Sequence, residues 1–487
     1  MQSKALLAIA IGLSASSPLH AETISIDQLL QKVINHYPAI KTAYFEVAKA
    51  RQDSLKIEGQ LGWQLAAQTG YAKEVSLFGV PVEQISMGGS LRRKLESGDR
   101  VTLSANIAND DADSAFAGLP NPSTSSNLKL EYTMPLGKAA GNLDYTTAIS
   151  SARAGVDIKT AEQKLLLEKM AGQVITLYLS ALNTRQRIDN TQAAIKRTEK
   201  LSQFINDRLK LGIAEDKDQL QTDAQLQSQK AQLSLLQLAW TQQLISINRL
   251  SGNPWDHQLT LSFPELAIND SASVDKLLTV VKNNSPALTQ IDSLISIADS
   301  QIKLQRQNTK SNLDLQFFIG NKTSEGEIQP NSSVSNSDTV AGINLAFSQA
   351  LDQSADKAAL YQAQLNRGLQ LQNKKQLLEN LHYDLASVLA ETAALKHSIS
   401  AYKNSQVAEK KMLLDAEQRY KSGRIDIDQL LQFENQLSAT DLTLNIQKME
   451  LQQRLLRLSL LTGQIWKKIK LPAFDLKNDD SFIEEVL

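Results

Sequence analysis

Apolar and polar residues alternate through residues 128–134, where Leu128, Leu130, Tyr132 and Met134 are separated by Lys129, Glu131 and Thr133. A period of two predicts a strand with one apolar and one polar face. The same alternation sets Val101, Leu103, Ala105 and Ile107 against Arg100, Thr102, Ser104 and Asn106, and Leu313, Leu315, Phe317 and Ile319 against Asp314 and Gln316. Weaker versions run through residues 63–71, 85–91 and 339–347. Residues 96–99, reading ESGD, predict a tight turn, while 110–126 and 322–338 are rich in Asn, Ser, Pro and Gly and predict long exposed loops. Short turns on one side and long loops on the other fit an outer-membrane barrel. An antiparallel sheet over a soluble core produces the same alternation, so the strands alone leave both readings open.

After the strands the period changes. Residues 145–211 and 216–250 are polar, contain no proline, and have Gly155 and Gly172 as their only interior glycines. At 1.5 Å per residue the first would extend on the order of 100 Å as a helix. Leu226, Leu233, Trp240 and Ile247 fall seven apart, and so do Leu437, Leu444, Leu451 and Leu458 later in the chain, which predicts coiled-coil packing in both places. The flanking residues are largely Gln, Ala and Ser, and so narrow an apolar stripe suits a thin helical wall better than a thick core. An ordinary soluble coiled coil would carry the same stripe.

These parts occur twice. Residues 208–255 (RLKLG to LSGNPW) match residues 419–466 (RYKSG to LTGQIW) without a gap, 211 positions apart, and SIDQLLQKVINHYPAI from Ser25 matches SVDKLLTVVKNNSPAL from Ser273. A repeat this long indicates duplication of a whole structural unit rather than a solenoid of ~20 to 50 residues per turn. The expected organisation is a first unit over 22–270, with strands within 62–135 and helices over 145–250, and a second over 271–470, with strands within 312–347 and helices over 352–461. Residues 471–487 form an acidic tail.

Residues 1–21, with Lys4 followed by an apolar run and small residues up to Ala21, read as a signal peptide, too short to remain as a membrane helix. The chain has no cysteine, which excludes disulfides and a lipidated cysteine. A formal charge of −1, about −2 without Lys4, offers nothing to a nucleic acid. Later segments lack the unbroken apolar length of a membrane helix, which says nothing against a barrel. His36, His257, His382 and His397 lack metal-ligand spacing, and neither a phosphate-cradling GxxxxGK loop nor a GxSxG elbow is present. No catalytic residue, metal or cofactor is expected.

The order of these motifs resembles the TolC family of outer-membrane efflux proteins over essentially the whole mature chain. Residues 91–110 and 128–142 (LRRKLESGDRVTLSANIAND, LKLEYTMPLGKAAGN) resemble members with an extra hairpin before a strand ending in proline, here Pro135. The resemblance implies a mixed α+β membrane protein. It would be a homotrimer whose protomers each give four to six strands to one barrel in the outer membrane of a Gram-negative bacterium, continued by a long α-helical barrel across the periplasm. It also implies a passive exit duct for an efflux pump or type I secretion, opened by a periplasmic adaptor and an energised inner-membrane transporter.

Carried over by register, the helix-to-helix turns at the periplasmic tip fall on Leu211 to Ala214 and Ser422 to Ile425, with Gly212 and Gly423 at the tightest points. Arg208, Lys210, Arg419 and Lys421 beside them are placed for adaptor contact, or simply for favourable charge at helix C-termini. The gate tyrosine of relatives falls on Tyr420 and its aspartate on Asp218. The acidic ring falls on Gln429 and Gln432, a departure that removes the charge a carboxylate ring would offer cations; Asp426 and Asp428 lie nearby. Trp255 and Trp466 are expected to pack at helix ends. The alternative to a channel is an exported periplasmic coiled-coil adaptor or scaffold, with an enzyme third.

Overall fold

In the computed structural model, which describes residues 22–75, 79–114, 120–213, 215–263, 273–328 and 332–463, helices begin and end at residues suited to the task. The leader, the acidic tail, Trp466 and Ala214 lie outside those residues. The described residues fall into two compact units, one drawn from 22–42, 164–285 and 379–463, the other from 43–163 and 286–378.

In the first unit, β1 (Glu22–Ile24) leads into α1 (Ile26–His36), where Ser25 and Gln28 form a reciprocal capping box. The matching helix α5 (Val274–Asn284) begins at Ser273 without a side-chain cap, and Lys276, which stands where Gln28 stood, has no oxygen to complete the reciprocal half of a capping box. The apolar side of α1, from Ile26 to Ile34, is buried. β1 pairs in parallel with β6 (Leu259–Leu261). The buried Tyr178 hydroxyl sits 2.9 Å from the Ile24 carbonyl and 2.5 Å from that of Ser262, sharing its one proton between the two strand ends. Around this ribbon run α4 (Asp216–Ser251), α8 (Ile427–Leu461) and the greater parts of α3 (Leu143–Lys210) and α7 (Ser354–Lys421). All eight heptad positions named above are buried or half-buried. One stretch of α3 is apolar enough by length and composition to cross a membrane, and half of it is buried inside the protein.

Trp255 departs from expectation. It is 72% exposed and follows the turn at Gly252, which ends α4 in the left-handed region (φ 75°). Its carbonyl accepts from Asn248 Nδ2 at 3.3 Å.

The second unit contains most of α2 (Pro38–Glu58), α6 (Pro286–Asn308) and a six-stranded antiparallel sheet. Both helices open on proline, whose fixed φ and missing N–H suit a first helical turn. The strands are β2 (Gln64–Val75), β3 (Pro81–Lys94), β4 (Arg100–Ala112), β5 (Ser123–Pro135), β7 (Asn312–Ile328) and β8 (Ser332–Ser348), hydrogen-bonded in that order. The ESGD turn is tight: Gly98 takes φ 97°, and Asp99 accepts from Ser97 Oγ at 2.8 Å and from the Tyr132 hydroxyl at 2.7 Å.

Much of 110–126 and nearly all of 322–338 that the structure describes is strand rather than loop. Pairing continues to Ile328↔Ser332 on one side and Val82↔Ala112 and Asp110↔Ser123 on the other. Alternation vanishes there because both faces are polar, while backbone ladders and side-chain pairs such as Ser335 Oγ to Glu325 at 3.2 Å extend the strands.

Where β5 leaves the sheet, the amides of Gly137 and Lys138 donate to Leu313 and Ser311 carbonyls at 3.1 and 2.8 Å. A Cβ on Gly137 would overlap the Ser311 carbonyl oxygen and the Leu313 amide, both backbone. Gly137→Ala should therefore cost about 1–3 kcal/mol of overpacking. A urea midpoint equal to that of the unaltered chain would refute this.

Candidate functional site

α3 and α7 end alike. In each, glycine adopts φ 69° (Gly212, Gly423), and paired amide bonds close a Schellman motif: Gly212 to Leu209 O at 2.9 Å with Ile213 to Arg208 O at 3.0 Å, and Gly423 to Tyr420 O at 3.0 Å with Arg424 to Arg419 O at 2.9 Å. Only glycine enters this backbone region without strain. Nothing lies within 4 Å of either missing Cβ, so conformation rather than space demands the glycine. The second helix of each pair starts differently: Glu215 gives α4 no side-chain cap, whereas Asp426 caps α8 by accepting from the Gln429 amide at 2.9 Å.

The basic residues divide. Arg208 turns inward: its guanidinium lies over Phe204, 5.6 Å from the ring centre, and donates to the carbonyls of Ile213 and Tyr420 at 3.4 and 3.5 Å. Lys210 pairs with Asp207 at 3.4 Å and Arg419 with Asp415 at 2.8 Å, each on its own helix and largely solvated. Lys421 lines a cavity described below.

Tyr420 and Asp218 come together. The Tyr420 hydroxyl donates to Asp218 Oδ2 at 3.5 Å, and the tyrosine itself is 5% exposed in a cluster with Ile205, Leu413, Ile427, Leu430 and Leu437. Burial first, and then the carboxylate of Asp218, push the tyrosine pKa up to about 12. Burial, reinforced by Glu215, also raises the Asp218 carboxyl above its usual range. Gln429 and Gln432 are exposed on α8. Asp426 is committed to its cap, and Asp428 to Lys217 at 3.3 Å and Gln221 Nε2 at 2.7 Å, so neither takes over the place of an acidic ring by default.

Sequence reasoning missed the strongest polar contact of this region. Arg197 on α3 grips Glu434 on α8 through three hydrogen bonds, Nε to both carboxylate oxygens at 3.0 and 3.1 Å and Nη2 to Oε1 at 2.6 Å. The signal was present: Ile427, Leu430, Glu434 and Leu437 share one helix stripe, so a lone carboxylate interrupts an apolar series. Its counterpart 211 positions earlier, Asp223, is likewise held, by Ser202 Oγ at 3.0 Å and Gln219 Nε2 at 2.9 Å. Arg197 and Glu434 also line a cavity of about 350 Å³ that reaches Phe204, Tyr420 and Lys421.

No protein-family model and no curated protein sequence matches the chain. Solved structures do. It is similar to the outer-membrane protein VceC of Vibrio cholerae at 15% identity, covering 92% of this chain and 97% of that one with a TM-score of 0.64. It is similar to the CmeC outer-membrane channel of Campylobacter jejuni at 13%, covering 94% and 88%, TM-score 0.63. The open state of the MtrE outer-membrane channel of Neisseria gonorrhoeae gives 15%, 90% and 88%, and 0.61. The chain thus has the mixed α+β fold of the TolC-type outer-membrane channels. The proteins that share it here are channel proteins, not enzymes.

Proposed function

We propose that this protein is a TolC-family outer-membrane exit channel, a passive duct of an efflux pump or type I secretion system. The observation that carries the reading is the exposed apolar face of the sheet. Ile343, Leu345 and Phe347 on β8 are about two-thirds exposed (69, 66 and 66%), and Phe317 and Ile319 on β7 stand beside them. An apolar band on a sheet that shields no core marks a surface for lipid. β2 and β8 leave two edges of the sheet unpaired among the described residues, and lipid tolerates no open edge. Copies of the chain close the barrel, three of them in our reading.

In this assembly the helices hang into the periplasm, and the Gly212 and Gly423 turns form its tip. Tyr420 and Asp218 hold the gate shut, with Gln429 and Gln432 facing the opening as a neutral ring. Lys210, Arg419 and Lys421 offer charge to a periplasmic adaptor, which an inner-membrane transporter drives. Arg208 belongs with the gate, since its partners are Phe204, Ile213 and Tyr420.

Membranes extracted with detergent should yield a particle of about three chain masses. A water-soluble monomer released from the periplasm without detergent would overturn the proposal.

A further inference from the structure

The hairpin β3–β4 lies inside the sheet, between β2 and β5, and the question is whether it also lies in the membrane. Directly paired residues of neighbouring strands project to the same face. Following the pairing from one edge to the other, Leu65, Leu91, Leu103, Leu130, Ile319 and Ala341 form one rank. It is apolar on all six strands. Two residues further along β3, Gly89 pairs with Ala105, and two further again Met87 pairs with Ile107. Ile85, Met87 and Ile107 are each more than half exposed.

The opposite face reads differently. Gln68, Gly88, Asn106 and Asn127 form one rank, and Ala66, Ser90, Ser104 and Lys129 another. These residues are small or polar, and Gly88 leaves the space that the Asn106 side chain fills. The ends of the hairpin are polar as well. Beyond Ile85, Glu83 pairs with Lys73 at 2.8 Å; beyond Leu91, Arg93 lies over the Trp63 ring at 5.7 Å, the aromatic and cationic pairing suited to a headgroup layer. A hairpin bathed in water has no reason to carry an apolar band at the same height as its neighbours.

We infer that β3 and β4 are wall strands, so that each protomer contributes six and three copies close an eighteen-stranded barrel. Barrel width grows with strand number, and barrels of 16–18 strands enclose an open aqueous channel. Twelve strands would result if the hairpin stood apart. The outer end of the duct is therefore wide and lined along the middle of the hairpin by small and neutral polar groups, with Arg92, Lys94, Arg100 and Asp110 toward its ends, which suits bulky hydrophilic cargo and leaves selection by size to the helical tips. This inference rests on the channel reading above.

The cysteine-free chain permits single spin labels in full-length protein reconstituted in phospholipid vesicles. Labels at Met87→Cys and Ile107→Cys should collide with oxygen several-fold more than labels at Ser104→Cys and Asn106→Cys. The latter pair should be the more accessible to a water-soluble nickel chelate. A label at Ile343→Cys on β8 serves as reference. If Ile343→Cys lies in lipid while Met87→Cys and Ile107→Cys lie in water, the eighteen-stranded wall is wrong and the channel reading survives. If Ile343→Cys is also in water, the channel reading itself fails. All five positions are exposed or half-exposed, so the labels leave the folded chain intact.

Discussion

In planar bilayers, Tyr420→Phe will conduct more than the unaltered channel. The substitution removes the hydroxyl that reaches Asp218 and leaves the ring in its apolar cluster, so the fold persists while the restraint goes. A hydrogen bond of this kind contributes about 1 kcal/mol net, roughly a fivefold change in the ratio of open to closed tips per copy. Unchanged conductance would remove Tyr420 from the gate.

The same pair sets a pH dependence whose sign can be worked out. Tyr420 is raised to about 12, so its contribution to closure is fully present below its ordinary value of about 10 and is lost as pH climbs from there to about 12. Asp218 is also raised: the closed tip favours its protonated form, so closure is tightest in acid and weakens as pH rises through the shifted carboxylate range. Conductance should therefore increase on alkaline titration, and Tyr420→Phe should lack the step above pH 10. Asp218→Asn should abolish the acid-side dependence while remaining closed at neutral pH.

Arg197→Met should be the most destabilising single change near the tip. It strips three hydrogen bonds from Glu434, a residue 6% exposed, and an unpaired buried carboxylate costs about 3–5 kcal/mol. The reverse change is milder. Glu434→Gln leaves an arginine whose side chain is 35% exposed and can rehydrate, so about 1 kcal/mol is expected. Replacing both, as Arg197→Met with Glu434→Leu, should restore most of the loss, because an apolar pair of similar volume has no desolvation to offset. Urea unfolding of detergent-solubilised protein, followed by helix content, checks the order; equal losses from the two single changes would contradict it.

Strands were legible wherever one face meets a single environment. Residues 101–107, 128–134 and 313–319 alternate cleanly, and the structure extends each at its polar end, where the pattern falls silent and only backbone pairing continues. The long helices announced themselves through heptads and through the absence of proline. Tyr420 and Asp218 were brought together by register with relatives, and no local pattern would have joined residues 202 positions apart. Arg197 and Glu434 escaped notice because an ion pair across two helices has no fixed spacing. Trp255 misled because size and helix-end position suggest packing, whereas the ring past the Gly252 turn is exposed.

α3 and α7 have the same number of residues, 68 each. Each residue of a helix advances it by 1.5 Å and about 100°. Adding one residue to α7 ahead of Tyr420 would swing that side chain to another face and carry it away from Asp218. The lineage of this chain can accept insertions where strands join, at loop tips that hold little else in place. Along α3 and α7 it can change letters but not length, unless both helices change together, so its history should be written there in substitutions and elsewhere in gaps.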